Sequence, residues 1–249
     1  MHRGLAMKQT IFTIIENKAL TDSVYQMTLS GDTEGIACGQ FVNIKLDGLF
    51  LRRPISVCDC TEGTLTLVYK VVGKGTEQMS RMKEGSLDVL TGLGNGYDTS
   101  ISGEQVLCLG GGVGVPPLYM LTKKLISEGK KVTVILGFNT KNEVFYEQEF
   151  RALGAEVTVT TADGSYGTKG FVTDALKCVD YTYFYTCGPE PMLKAVYGAT
   201  NTGGQFSFEE RMGCGFGACM GCSCKTITGY KRICKEGPVL QKEEILWAD

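Results

Sequence analysis

Histidine is almost missing from this chain of 249 residues, which contains only His2. Histidine is the side chain used most often as a general acid or base near neutral pH. We expect residues 1–6, which include His2, to be an extension ahead of Met7, so acid–base catalysis by histidine is excluded. Tryptophan is also scarce, and Trp247 is interpreted as a packing or subunit-contact residue.

The chain also lacks a long apolar run and a strong net charge. The longest apolar run near the N-terminus covers residues 11–15 and is interrupted by Thr13. It is too short for a signal peptide or a membrane span. A net charge of −2 argues against a polyanionic partner. We therefore expect no membrane insertion and no nucleic-acid partner.

Cysteine, in contrast, is abundant, with eleven residues. Such a number would indicate disulfides in a small secreted protein, but this chain is larger and shows no signal peptide. We therefore expect a cytoplasmic protein whose thiols stay reduced. A chain of this length with 43% hydrophobic residues can form more than one core, so two domains and an appendage are predicted.

The densest group of cysteines lies between residues 211 and 234. Cys214, Cys219 and Cys222 follow the spacing C-x4-C-x2-C, and Cys234 comes after them. This is the ligand spacing of a plant-type 2Fe-2S ferredoxin loop. The glycines at positions 213, 215, 217 and 221 permit the tight turns that such a loop requires. The segment therefore predicts a 2Fe-2S cluster.

Other interpretations of these cysteines stay open. A zinc site could also use four cysteines, although structural zinc sites usually present two C-x2-C pairs far apart. A disulfide framework is favoured less. Cys224 is a further thiol inside the motif and could replace Cys222, but the spacing favours Cys222. We interpret Cys224 as a spare thiol.

Between residues 10 and 97 the sequence consists of short β-type runs separated by turn residues, without a clear helical period. The runs cover residues 12–17, 23–30, 40–46, 64–72 and 86–90. About six short strands of this kind predict an antiparallel barrel. One short helix is predicted at Thr76–Met82.

Two groups in this region could bind a diphosphate. Arg52 and Arg53 precede Pro54 at the start of a predicted strand, where a guanidinium can face a phosphate. An arginine pair alone is more often solvated charge. However, Lys74, Gly75 and Thr76 open the predicted helix, and amides at a helix start also suit an anion. The two groups together favour a diphosphate site.

After residue 101 the pattern changes to strands that alternate with helices. The predicted strands cover residues 106–109, 132–136, 156–160 and 181–188, and the helices that follow them cover 118–129, 143–153, 171–177 and 189–199. Such alternation predicts a doubly wound parallel sheet.

Two loops in this second region suit a dinucleotide. Gly110–Gly114 forms a glycine turn between a strand and a helix, although a proline occupies the place of the third glycine in G-x-G-x-x-G. Cys187–Pro189 ends another predicted strand. Ligands of such sheets bind at the carboxyl ends of the strands, so one dinucleotide could contact both loops. We interpret Cys187 as a packing or nicotinamide-contact residue, because no base that would activate it is evident.

The number of electrons that each cofactor carries indicates how the predicted sites are connected. A nicotinamide exchanges a hydride, which carries two electrons, whereas a 2Fe-2S cluster carries one. A flavin can do both, so the barrel is interpreted as a flavin domain between the nicotinamide and the cluster. Glu209, Glu210 and Arg211, ahead of the cluster segment, are interpreted as a solvated or interface charge group.

At this point the sequence resembles a known superfamily. Arg53–Ser56, the glycine turn with its prolines, and Cys187–Pro189 resemble the ferredoxin–NADP reductase superfamily. The segment from Glu209 to Leu240 resembles, more narrowly, the electron-transfer subunits of NAD-linked dihydroorotate dehydrogenase. The resemblance covers residues 8–240. It implies a flavin-binding antiparallel β-barrel at 1–100, an NAD-binding α/β domain at 101–204 and a 2Fe-2S subdomain at 205–249.

The resemblance also implies roles for individual positions. The FAD contacts would be Arg53, Pro54, Ile55, Ser56, Tyr69, Lys70, Val71, Gly75 and Thr76. The contacts on the nicotinamide side would be Gly111, Gly112, Gly114, Cys187, Gly188 and Pro189. The cluster ligands would be Cys214, Cys219, Cys222 and Cys234. Two positions depart from the family pattern: Thr91 stands where a proline is expected, and Cys224 is an additional thiol.

The family further implies a partner. The sequence contains no second barrel for dihydroorotate, so a separate FMN-containing catalytic subunit would oxidise it, in a heterotetramer with two of each subunit. The function expected is to pass electrons from that subunit through the cluster and FAD to NAD. NAD is favoured over NADP because residues 137–142 contain one lysine and no arginine.

Two alternative functions remain. The first is a small flavin and iron–sulfur subunit of another NAD(P)H-linked oxidoreductase, of the transhydrogenase or sulfide dehydrogenase type. Cys214 counts against those members that use a carboxylate as the first ligand. The second is an iron–sulfur redox sensor that is not an enzyme, which would need neither the arginine motif nor a nucleotide loop.

Overall fold

Six short strands close into an antiparallel barrel in the computed structural model, which describes residues 7–247. The strands are β1 (Lys8–Ala19), β2 (Val24–Ser30), β3 (Phe41–Ile44), β4 (Arg53–Thr61), β5 (Thr64–Lys70) and β6 (Ser86–Leu93). Around the barrel their order is β1-β2-β5-β4-β3-β6. The predicted barrel is confirmed, whereas the expectation for residues 1–6, with His2, lies outside the described residues.

The barrel closes because its strands alternate between an inner and an outer face. In β1, Phe12 and Ile14 are buried while Ile11 and Ile15 are exposed. Met27, Leu29, Val42, Ile44, Val57, Leu65, Leu67 and Val89 complete the interior with them.

The short helix of the barrel region begins two residues earlier than predicted. It is α1 (Lys74–Arg81), and Gly73 precedes it. The hydroxyl of Thr76 accepts hydrogen bonds from the backbone N–H groups of Val72 (2.9 Å) and Gly73 (3.3 Å). Because this hydroxyl satisfies donors ahead of the helix, the first turn can start at Lys74 instead of at Thr76.

A parallel sheet follows the barrel. Its first strands are β7 (Gln105–Gly111), β8 (Lys131–Phe138), β9 (Glu156–Thr161), β10 (Thr168–Lys169), β11 (Tyr183–Cys187) and β12 (Gly204–Ser207). Their order is β10-β9-β8-β7-β11-β12, and each neighbouring pair is parallel. The predicted doubly wound sheet is confirmed.

Four helices connect these strands: α2 (Pro117–Ser127), α3 (Glu147–Ala152), α4 (Val172–Leu176) and α5 (Glu190–Ala199). The helix predicted over residues 143–153 is shorter than expected. Tyr146 has φ = 66°, so the helix cannot extend back beyond Glu147, and a separate 3-10 turn covers Lys141–Glu143. Within residues 7–247, no helix is long and apolar enough to span a membrane.

The cysteine-rich segment lies against both domains. It contains a hairpin of β13 (Ser223–Thr226) and β14 (Gly229–Arg232), and then β15 (Val239–Gln241) joins the large sheet antiparallel to β12. Cys222, Ile233 and Cys234 pack in one hydrophobic core with Phe41, Leu90 and Leu93 of the barrel. The segment is therefore held by the barrel and by the sheet.

Candidate functional site

A cleft of about 810 Å³ lies between the barrel and the carboxyl ends of the parallel strands. It contains nearly all of the predicted cofactor-binding residues from both domains. Those that line it are Arg53, Pro54, Ile55, Ser56, Tyr69, Lys70, Thr76, Gly111, Gly112, Gly114, Cys187, Gly188 and Pro189. Val71 and Gly75 are not among the lining residues. Residues predicted from two separate sequence regions thus meet at one site.

The two adjacent arginines have different surroundings. Arg52 turns away from the cleft and forms an ion pair with Asp88 at 2.9 Å, with both side chains about one-fifth exposed. Arg53 lines the cleft, and its guanidinium donates to the backbone carbonyl of Leu51. Only Arg53 is therefore available to a ligand in the cleft.

Gly75 contributes to the cleft indirectly, by leaving room for Arg53. A Cβ atom at position 75 would lie 2.1 Å from Nε of Arg53. The absence of a side chain lets the guanidinium rest against the start of α1. A guanidinium beside the amide end of a helix is an arrangement that favours a phosphate group.

Tyr69 forms part of the barrel wall of the cleft. Its ring stacks on Tyr25 with 6.0 Å between centroids and 20° between planes. Its hydroxyl donates to Oδ1 of Asn17 at 3.0 Å. Burial raises the pKa of Tyr69 to about 12. The side chain is therefore a fixed neutral ring at neutral pH.

On the opposite wall, the glycine turn packs closely against the loop that begins at Cys187. A Cβ atom on Gly114 would lie 2.3 Å from the carbonyl oxygen of Cys187, and one on Gly111 would lie 2.4 Å from Sδ of Met192. The approach at Gly114 requires glycine because its neighbour is backbone, whereas the neighbour of Gly111 is the end of a flexible side chain. These approaches bring the two predicted nucleotide-binding loops into direct contact.

The Cys187 thiol is not activated. Burial raises its pKa to about 12, against a lowering by the hydrogen bond with Ser207. Since the thiolate is the nucleophilic form, this cysteine is inert at neutral pH. The geometry agrees with a packing or contact role for Cys187.

Several lining residues were not predicted from the sequence. They come from the carboxyl ends of β8, β9 and β12, from the 3-10 turn after β8 and from the first turns of α4 and α5. They include Asn139, Glu143, Thr160, Thr173, Met192, Ser207 and Phe208. Strand ends were the available signal for them. Glu209 and Glu210 are exposed, as expected for solvated charge, but they also line the cleft.

The predicted cluster ligands fall into two pairs. The backbone N–H of Cys214 donates to Sγ of Cys219, and that of Cys219 donates to Sγ of Cys214, each at 3.4 Å. The N–H of Cys234 donates to Sγ of Cys222, also at 3.4 Å. These contacts place Cys214 beside Cys219 and Cys222 beside Cys234. Within residues 7–247, no three His, Cys, Asp or Glu side chains are grouped as ligands of a single metal ion.

The two pairs differ in exposure. Cys222 and Cys234 are each 2% exposed, whereas Cys219 lies at the surface and Cys214 is intermediate. Burial acts to raise the pKa of Cys214, but hydrogen bonds from the backbone amides of Phe216 and Cys219 outweigh it and lower the pKa to about 6. Amides directed at sulfur favour the thiolate, which is the form that binds iron.

Cys224 differs from these four cysteines. It lies in β13 opposite Lys231, and its side chain packs at the edge of the core that contains Phe41. The amides of Cys214, Ala218, Cys219 and Cys234 donate to the sulfurs of predicted ligands and not to Cys224. Burial raises the pKa of its thiol. The surroundings of Cys224 therefore differ from those of the four predicted ligands, and the ligand assignment stays a prediction.

The barrel, the parallel sheet and the paired thiols define a ferredoxin-reductase-type electron-transfer protein with an iron–sulfur segment. Residues 209–246 match the iron–sulfur cluster binding domain of dihydroorotate dehydrogenase B, and residues 108–197 match the oxidoreductase NAD-binding domain. The chain belongs to the family of dihydroorotate dehydrogenase B electron transfer subunits.

Relatives across most of the chain support this membership. The electron transfer subunit of dihydroorotate dehydrogenase B (NAD(+)) from Bacillus pumilus (strain SAFR-032) is 43% identical, over 96% of this chain and 98% of its own. The subunit of the same name from Fusobacterium nucleatum subsp. nucleatum is 45% identical, over 96% and 99%. The family predicted from the sequence is confirmed.

Solved structures give the same fold. An NADH-dependent reduced ferredoxin–NADP oxidoreductase, described for flavin-based electron bifurcation, superposes with a TM-score of 0.86 at 29% identity, covering 95% of this chain and 90% of that one. A ferredoxin NADP+ reductase from Neisseria gonorrhoeae, with bound FAD and NADP, has a TM-score of 0.67 at 19% identity, covering 77% and 90%. The second likeness concerns the fold alone.

Proposed function

We propose that this chain carries electrons from an FMN-containing catalytic subunit that oxidises dihydroorotate, through a 2Fe-2S cluster and FAD, to NAD. It is an oxidoreductase component, and its cofactors are those predicted from the sequence. One observation carries the proposal. The cleft that unites the arginine motif with the nucleotide loops extends to Met212, two residues before the first cysteine of the loop.

FAD, when bound, exchanges two electrons with a nicotinamide and one electron at a time with a cluster. The residues of this chain would place it. Arg53 and the start of α1 would hold the diphosphate, and Tyr69 would support the flat ring system from the barrel side. The loops at Gly111–Gly114 and Cys187–Pro189 would hold the nicotinamide nucleotide. No side chain is required as a nucleophile or as a base.

Glu143 supports NAD as the acceptor instead of NADP. It lines the cleft just after β8, and its carboxylate accepts hydrogen bonds from N (3.2 Å) and Nδ2 (2.8 Å) of Asn139. A carboxylate held at this strand end suits the ribose hydroxyls of NAD and would repel a 2′-phosphate. This observation supports the sequence argument for NAD, in which residues 137–142 contain one lysine and no arginine.

An electron transfer subunit requires a catalytic partner. We propose that the partner is the FMN-containing subunit, in a heterotetramer with two of each chain, and that the cluster segment forms the contact. Phe216 and Met220, which flank Cys219 in the sequence, are 44% and 54% exposed. Exposed apolar side chains beside a surface cluster ligand suit a protein contact.

All eleven cysteines are free, which supports the cytoplasm as the compartment.

Replacing one cluster ligand tests this function. In Cys219→Ser, we expect the cluster absorbance to be lost, together with dihydroorotate-dependent reduction of NAD by the chain mixed with an FMN-containing subunit. Reduction of a dye by NADH should persist, because it needs only the cleft. Cys224→Ser is the matched control and should keep both activities. A bleached Cys224→Ser protein would make that residue a ligand.

One observation favours a second function, the transhydrogenase type. The oxidoreductase structure with the TM-score of 0.86 covers 95% of this chain. The identity of 43% to 45% with dihydroorotate dehydrogenase subunits favours the first function. A wild-type chain with full cofactor content that supports no dihydroorotate-dependent NAD reduction with the FMN-containing subunit would favour the second.

A further inference from the structure

Asn43, on β3 of the barrel, reaches the first cysteine of the cluster loop. Its side chain is 1% exposed, and Nδ2 donates to the backbone carbonyl of Cys214 at 3.1 Å. The approach depends on the neighbouring Gly215, where a Cβ atom would lie 2.4 Å from the same Nδ2. The barrel strand and the cluster loop are therefore in close contact at this point.

Asn95, in the turn after β6, holds the other end of the cluster segment. Its Nδ2 donates to the carbonyls of Glu236 (3.1 Å) and Val239 (2.6 Å), and its Oδ1 accepts from the N–H of Val239 at 2.9 Å. Its backbone N–H donates to the carbonyl of Gly237 at 2.6 Å. The residues that Asn95 contacts begin at Glu236, two residues after Cys234. The barrel therefore contacts the chain next to the last predicted ligand as well as next to the first.

The strands that carry these asparagines also form the wall of the cleft. Asn43 lies opposite Pro54 in the β3–β4 ladder, and Pro54 lines the cleft. Phe41, two residues before Asn43, lines it too, and β3 pairs with β6 immediately ahead of Asn95. One small group of strands therefore contacts both the flavin cleft and the cluster loop.

Fold stability alone does not account for a carboxamide at position 43. Within residues 7–247, Oδ1 of Asn43 is buried without a hydrogen-bond partner. Burial of an unpaired polar oxygen is unfavourable, and a leucine of similar size would not have this cost. The hydrogen bond to Cys214 is the contact that only the carboxamide makes.

We infer that Asn43 and Asn95 are positioning residues that set the separation between the flavin site and the iron–sulfur cluster. The inference rests on the proposed function, since it requires both cofactors. The rate of electron transfer falls steeply with distance, so a small shift of the cysteine loop would slow it. Neither asparagine touches a reacting atom, because both act through the backbone of the cluster segment.

The test compares Asn43→Leu and Asn95→Ala with a control, Gln205→Leu. Gln205 is also a buried amide that links the two domains through Asp98. Its backbone pairs with Gln241 of β15, but its side-chain amide bonds to Asp98 and Tyr183, not to the loop that carries the cysteines. Iron, sulfide and flavin are assayed first. Stopped-flow absorbance then follows reduction of the cluster by NADH, the EPR line shape of the dithionite-reduced cluster is recorded, and hydrogen exchange is measured over residues 209–222.

We expect both variants to keep their cofactors and their NADH-to-dye activity. Cluster reduction should slow by a few fold, because electron transfer between the two cofactors weakens with each ångström of added distance. In Asn43→Leu the EPR line shape should change and residues 209–222 should exchange faster, whereas Gln205→Leu should match the wild type in both.

Cluster reduction at the wild-type rate in both loaded variants would overturn the inference. Loss of the cluster from both, with the cluster kept in Gln205→Leu, would also overturn it and assign the asparagines to cluster retention. A wild-type chain without flavin or cluster would instead refute the proposed function, so the two failures are distinguishable.

Discussion

At the scale of single residues, neighbours in the sequence can have unrelated roles. Arg52 and Arg53 are adjacent, yet one pairs with Asp88 beneath the strand and the other lines the cleft. The arginine pair alone predicted a guanidinium at a phosphate, and the family resemblance selected Arg53, but neither indicated that Arg52 has a partner carboxylate. That choice depends on Asp88, which becomes a neighbour only when the barrel closes.

The spacing of the cysteines predicted a ligand loop because these residues are close together in the chain. Cys214, Cys219 and Cys222 lie in one short loop, so their separation in the sequence limits their separation in space. Asn43 could not be found in this way, because its contact with Cys214 spans 171 positions. Glu143 and Ser207 were missed for the same reason, since the sheet order brings them to the cleft.

The neutral state of Cys187 gives a prediction at this scale. Its pKa of about 12, against the usual value near 9, leaves about a thousandfold less thiolate at a given pH. Alkylation at pH 8 without nucleotide should therefore modify exposed Cys178 and leave Cys187 unmodified. Reactivity at Cys187 should appear only as the pH rises toward 12.

Mass spectrometry of the alkylated peptides measures both sites in one sample. The same shift affects stability, because the fold favours the neutral thiol. The contribution of Cys187 to the free energy of unfolding is complete below pH 9 and is lost as the pH rises through about 12. Modification of Cys187 as fast as Cys178 at pH 8 would contradict the assignment.

At the scale of elements, the sequence predicted most strands and helices but not all of their limits. Alternation of apolar residues located the barrel strands, because each has one face toward the interior. The limits of α1 and α3 depended on contacts that the pattern does not show. Thr76 caps the start of α1, and the left-handed backbone of Tyr146 restricts α3 to Glu147–Ala152.

The start of α1 gives the prediction at this scale. In Gly75→Ala, the new methyl group would displace the guanidinium of Arg53, which is a flexible side chain, so the fold should survive. A lost charge-assisted hydrogen bond should weaken FAD binding by about tenfold or more. Flavin content after gel filtration, with circular dichroism, measures both effects.

Gly73→Ala is the matched control for this change. No atom lies within 4 Å of a Cβ built at Gly73, and its backbone is extended. It should therefore keep its flavin. Equal flavin retention in the two variants would contradict the role given to Arg53 at the diphosphate.

At the scale of the whole molecule, the cleft is a product of domain packing. The barrel supplies one wall and the carboxyl ends of the parallel strands supply the other, while the cysteine segment contacts both. The sequence predicted each part and its kind of ligand. The predicted boundaries at residues 100 and 204 stay predictions, and β15, from the third segment, completes the sheet of the second.

The order of the carriers follows from this arrangement. The nucleotide loops and the arginine motif share one cleft, and the cleft ends near the cluster loop, so the flavin would lie between the nicotinamide and the cluster. The partner must then exchange electrons at the cluster, where Cys219 is at the surface. The central claim is this order: nicotinamide, flavin, cluster.

Anaerobic titration with NADH tests that order most directly. The purified chain is first assayed for iron, sulfide and flavin, and then titrated while absorbance and EPR are recorded. We predict about two irons and one FAD per chain, as a 2Fe-2S site requires, and a reduced 2Fe-2S signal that appears on addition of NADH without any partner. Zinc in place of iron, an absence of flavin, or a loaded cluster that NADH does not reduce would contradict it.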